Sequence, residues 1–238
     1  MKLMSSRSAT GAGPAQAPSG VPVPPLRRLA EGVRRYPRRS PVTFGFVCLL
    51  LAGHAWVVHG SSADLLQYLS TNVINLADHP VVALPGSALF FDGDLTHVSS
   101  LAFGATAITL GLGVVVCLAG LERRLGAPRA FGVFFGGHVL ASLLTAAVIL
   151  LALDRGWYPE DVRTATDFGI SYGAQTVLAL TTAALPFRWR LPWAAFVLGW
   201  PLGGLDGPGP LPDFTTVGHL LAALIGFALI TVPRLRRR

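Results

Sequence analysis

Only 13% of the 238 residues are charged and 52% are hydrophobic, with the apolar residues gathered into long runs. A soluble domain carries roughly 25% charged residues, so lipid is the natural solvent for most of this chain. The net charge of +7 does not signal a nucleic-acid binder, because the arginines flank the apolar runs and form no stripe with interleaved aromatics.

Residues 1–40 form a tail rich in Pro, Gly, Ala and Ser that ends in the basic stretch "LRRLAEGVRRYPRR". Residues 1–25 read as disordered. Leu26, Leu29, Val33 and Tyr36 recur at helical spacing, so the basic stretch is either an amphipathic helix on an anionic leaflet or a flank that fixes orientation. Six apolar segments follow, at 41–60, 97–120, 129–153, 168–186, 191–205 and 214–233. Most have the ~20 residues needed to cross the hydrocarbon core. The fifth is short and is interrupted by Pro201 within "GWPLGG", which predicts a tilted, mobile or re-entrant helix. Residues 234–238 are a basic C-terminal tail.

Six crossings with both termini in the cytoplasm put 17 of the 19 Lys/Arg inside and 10 of the 12 acids outside. That is the bias expected of a membrane protein, and a wrong segment count would scramble it. The fold expected is therefore an all-α bundle of six transmembrane helices occupying residues 41–233. In the external loop 61–96, Leu65, Leu66, Leu69, Val73 and Leu76 share one helical face, so part of it should lie along the membrane surface.

No Asp, Glu, Lys or Arg lies within the segment cores, which weighs against an ion-coupled transporter. Cys48 and Cys117 both sit in apolar runs and suggest buried thiols rather than a disulfide. No His, Cys or acid cluster has metal-ligand spacing, and no cofactor is implied. The informative residues are the polar ones that enter the membrane. Ser171 follows Asp167 by four residues and His219 follows Asp213 by six, so both should lie roughly 6–9 Å below the external interface. His97, three residues after Asp94, should enter near the same level. His54 and His138 are expected on middle or inner turns, as packing residues.

A serine alone in a membrane helix usually bonds its own backbone or a neighbouring helix, and a lone histidine is usually structural. Ser171 and His219 at one depth open the alternative of a nucleophile and its base, with His97 as an oxyanion or substrate contact. The unpaired amides of a helix N-terminus beside the serine suit an oxyanion. Small residues at four-residue spacing (Gly169/Gly173, Gly132/Gly136 and Gly199/Gly203) are expected to serve close helix packing.

These residues resemble the rhomboid intramembrane serine proteases over about residues 41–233. "GISYGA" is similar to that family's Gly-x-Ser-Gly segment, "VGHLLAALIG" to its helix-six histidine segment, and "LERRLGAPR" to the turn between its second and third helices. "LTHVSSLAFG" stands in the place of its helix-two His-x-x-x-Asn motif. The resemblance implies a Ser171–His219 dyad, with Gly169 and His97 as oxyanion or substrate-binding residues. It also implies transmembrane protein substrates and residence in a plasma membrane, expected to be bacterial. Leu101 stands where the motif would have its asparagine, Tyr172 follows the serine directly, and the first loop has no Trp-Arg pair. These departures leave open a second role, a pseudoprotease that binds or escorts transmembrane clients.

Overall fold

The computed structural model describes residues 25–60, 62–91, 93–204 and 210–236, and every described element is helical. The chain clusters into two compact units, residues 1–35 and 36–238. Helix α1 (Pro25–Arg39) supplies the described residues of the first unit and ends in the second. The expected disorder of residues 1–25 falls almost wholly outside the described residues.

All six apolar segments form helices, but among the described residues three are long and apolar enough to cross a membrane: α2 (Pro41–His59), α6 (Leu101–Leu125) and α7 (Ala127–Asp154). The fourth segment is helical only as α8, Ser171–Thr181, followed by a 3-10 turn at Thr182–Ala184 before Pro186. The fifth begins earlier than its hydropathy suggests, at Phe187 just after Pro186, and α9 (Phe187–Gly199) passes into a 3-10 segment at Trp200–Gly204. The sixth is α10, Phe214–Leu229.

Helix α8 is the axis of the bundle. Every residue from Tyr172 to Leu180 is buried, the pattern of a helix surrounded on all sides. It packs against α6, α7 and α10. Glycines from its neighbours permit that approach. A methyl group on Gly113 would come 2.7 Å from the Ala174 side chain, and one on Gly173 would come 2.9 Å from both the ring and the carbonyl of Phe134. Gly137 and Gly226 press against Thr176 in the same way, and Gly218 against Tyr172. Gly132, Gly136, Gly199 and Gly203 have open space where a side chain would stand, so those two expected pairs do not pack. The contacts are made one residue along, at Gly137, because the buried face of α7 runs through Val133, Phe134, Gly137 and Ala141.

The "LERRLGAPR" turn locks α6 and α7 to α2. The Glu122 carboxylate accepts the amides of Val42 (3.1 Å) and Thr43 (2.9 Å) and the Thr43 hydroxyl (2.6 Å) at the start of α2. A buried anion there meets the positive end of a helix. Arg123 donates to Ser40 Oγ, and Ser40 donates to the Ala119 carbonyl. Gly126, at φ 81°, makes the turn into α7.

The loop between α2 and α6 holds three short helices: α3 (Ala63–Leu69), α4 (Val73–Asp78) and α5 (Pro80–Ser87). The single helical face expected over residues 65–76 is broken at Ser70–Asn72. Asn72 caps α4 by accepting from Asn75, whose amide group donates in turn to the carbonyls of Gln67, Tyr68 and Ser70. Capping chemistry overrides the hydrophobic period there.

Candidate active site

The stretch "TDFGIS" is held by the α3–α5 loop before α8 begins. The Asp167 carbonyl accepts from the Thr71 amide at 2.7 Å, the Asp167 amide donates to Ser70 Oγ, and the Gly169 amide donates to the Ser87 carbonyl at 2.9 Å. Gly169 has φ 132°, a conformation that side chains rarely adopt, so it ends the loop and stands outside the helix. It is therefore neither a helix-packing partner of Gly173 nor an open amide donor, because its N–H is already bonded. Ser171 becomes the first residue of α8, and Ile170 offers no side-chain cap. The first-turn amides, including that of Ser171, have no intrahelical acceptor.

Ser171 lines a cavity of about 750 Å³ together with Tyr172, Asp167, Gly169, Trp200, Thr215 and His219. Ser171 and His219 both line this one cavity. No hydrogen bond joins them; Ser171 Oγ is unpaired and His219 Nε2 is buried without a partner among the described residues. His219 Nδ1 lies 2.6 Å from the Thr215 carbonyl. A carbonyl can only accept, so the proton sits on Nδ1 and Nε2 keeps its lone pair. The ring is fixed edge-on between Tyr172 (centroids 5.1 Å apart) and Trp200 (5.0 Å). Both partners are anchored. Tyr172 donates to the Asp167 carboxylate, and Trp200 donates to Gln175 Oε1 at 2.8 Å while Gln175 Nε2 donates to the Val197 carbonyl.

His97 is not brought to this cavity. Its side chain is 80% exposed and its Nδ1 lies 3.0 Å from Asp94. The Asp94 carboxylate also accepts the amides of Thr96 and His97 and the Ser100 hydroxyl. Those amides hold its pKa well below the usual carboxylate range. Ser100 then caps α6, so His97 lies in a surface turn four residues before the helix. Leu101 is 94% exposed and is not among the residues lining the cavity, so the position where the motif would have its asparagine lies outside it. The residues of α6 on the cavity wall are Ala102, Ala105, Thr106 and Thr109. Their i, i+3, i+4, i+7 spacing was the available signal: a small and polar face on an otherwise apolar helix. The Thr106 hydroxyl donates to the Ala102 carbonyl and accepts from the Asp94 amide.

His138 also departs from expectation. It is buried beside Ser87, whose Oγ is 2.9 Å from its Nε2, and its ring lies 6.2 Å from that of Tyr172. It thus neighbours the Ser171 region instead of a remote inner turn. His54 packs as expected, stacked on Phe91 at 4.5 Å. Cys48 and Cys117 are both free, but only Cys117 is buried as expected and Cys48 is exposed; no group of metal-binding side chains occurs among the described residues.

A family model of rhomboid-like proteins matches residues 35–238. The chain belongs to the rhomboid-like family. Its membrane character follows from that membership and from the three long apolar helices. No curated protein and no solved structure matches this rhomboid-like chain.

Proposed function

We propose that this rhomboid-like protein is an intramembrane serine endopeptidase that cleaves transmembrane substrates. The observation that carries the proposal is the cavity shared by an unpaired Ser171 and a His219 whose buried Nε2 lacks a partner. In this mechanism Ser171 Oγ meets Nε2, which takes its proton as Oγ attacks a peptide carbonyl. The free amides at the start of α8 receive the oxyanion. His219 returns the proton to the leaving amine, and water, activated by Nε2, then releases the acyl group. In this reading the chain crosses six times with both termini in the cytoplasm, and the cavity lies toward the outer leaflet. The Trp200–Gly204 segment and the start of α6 make the natural side entrance. A bacterial plasma membrane is the proposed location.

A client-binding role without hydrolysis has its own support. Ser171 and His219 are unbonded, the Gly169 amide is engaged, and α6 offers threonines whose hydroxyls already donate to its own backbone. One experiment separates the two. Reconstituted protein is treated with a fluorophosphonate probe and offered tagged transmembrane substrates, as wild type, Ser171→Ala and His219→Ala. Labelling and cleavage lost in both variants support the peptidase. A wild type that binds substrate without labelling or cleaving it is the pseudoprotease.

A further inference from the structure

Helices α6, α8 and α10 each touch the Ser171 cavity near their N-termini, and each reaches a second cavity of about 660 Å³ near its C-terminus. The two cavities therefore lie at opposite ends of the bundle. Three guanidinium groups line the second one: Arg123, Arg124 and Arg190. Arg190 donates to the carbonyls of Leu185 and Ala183, and Arg123 donates to Ser40, so both are held in place. Among the described residues Arg124 has no hydrogen-bond or ion-pair partner. No carboxylate lines the cavity among the described residues.

Thr182 also lines this cavity. Thr182 is 7% exposed and its Oγ1 has no hydrogen-bond partner. A buried hydroxyl left unpaired calls for an occupant that accepts a hydrogen bond. Three cations without a counter-charge call for an anionic one. Val116, also on the wall, is 55% exposed on the apolar α6, so an acyl chain leaving the cavity continues along a lipid-facing surface. We infer that this cavity binds the phosphate headgroup of an anionic phospholipid, with Arg123, Arg124 and Thr182 as its contacts. The inference is independent of peptidase activity.

The test is a titration of delipidated protein, in neutral detergent, with phosphatidylglycerol or phosphatidylcholine carrying the same fluorescent acyl chain. Phosphatidylglycerol should bind at least tenfold tighter. Arg124→Gln should weaken it about fivefold, and Thr182→Val should weaken it without lowering thermal stability. Arg188→Gln, outside the cavity, should leave it unchanged. Equal binding of the two lipids, or equal effects of Arg124→Gln and Arg188→Gln, would overturn the inference. Inorganic phosphate binding as tightly as phosphatidylglycerol would likewise rule out the lipid as occupant.

Discussion

Two serine–histidine pairs lie close together in this protein, and they differ in contact and in access. Ser87 and His138 are fully buried and within hydrogen-bond distance of each other, and neither lines a cavity described above. Ser171 and His219 are apart, but both stand on a cavity wall and each keeps an unmet hydrogen-bonding atom. The difference teaches that contact between the two residue types does not by itself mark a reactive pair. A reactive pair needs access, a fixed tautomer and a lone pair left open.

The largest effect that would break this contrast is at the open pair. Ser171→Ala and His219→Ala should each lower cleavage by about 10⁴-fold while leaving thermal unfolding nearly unchanged. If His138→Ala abolished fluorophosphonate labelling and His219→Ala did not, the roles assigned to the two pairs would be reversed. For the closed pair the expected effect is on stability. His138→Ala removes a buried ring and its hydrogen bond to Ser87, whose hydroxyl keeps only the Leu84 carbonyl as partner, which should cost about 3 kcal/mol by denaturant unfolding. The protein that remains folded should still label at Ser171.

Packing around α8 sharpens the comparison further. Gly173→Ala pushes a methyl group into the Phe134 ring and backbone, so it should destabilise by about 1–3 kcal/mol and displace Ser171. Gly132→Ala meets open space and should change stability by no more than about 0.5 kcal/mol, with a slight gain from helix propensity. Thermal unfolding of the two variants side by side checks the assignment. Equal losses would show that the four-residue glycine spacing matters after all.

Much of this arrangement was legible in the sequence, and what was not has definite physical causes. Hydropathy located all six helical segments, and the depth count brought Ser171 and His219 to one site. It failed for His97 because depth counting assumes a helix, and Asp94 and Ser100 instead build a turn and a cap just before Leu101. It failed for Gly169 for a related reason: a four-residue glycine spacing reads as a helix face, but Gly169, at φ 132°, stands outside the helix, which begins between the two glycines at Ser171. Thr106 and Thr109 escaped notice because each looks like an ordinary threonine bonded to its own helix, which each also is. Their place on the cavity wall depends on which face of α6 turns inward, and Leu101 pointing outward is the observation that fixes it.

The smallest effect tests how the loop holds the site. Asp167 lies half-buried in the connection before α8, where burial pushes its carboxyl up to about 6 despite donation from Thr71 and Tyr172. The nearby Asp213 adds to the rise. A raised pKa means that the folded state holds the proton more tightly than the unfolded chain does. This contribution to stability is full below about pH 4, falls as pH rises from about 4 to 6, and is flat above. After solvent screening the loss should be on the order of 1 kcal/mol. Asp167→Asn keeps a side-chain acceptor for Thr71 and Tyr172 but cannot ionise, so its stability between pH 4 and 6 should not show this fall. Thermal unfolding of both proteins across that range measures the difference. Parallel curves would mean that Asp167 is solvated in the native state, and that the backbone bonds to Ser70, Thr71 and Ser87 alone seat Ser171 at the start of α8.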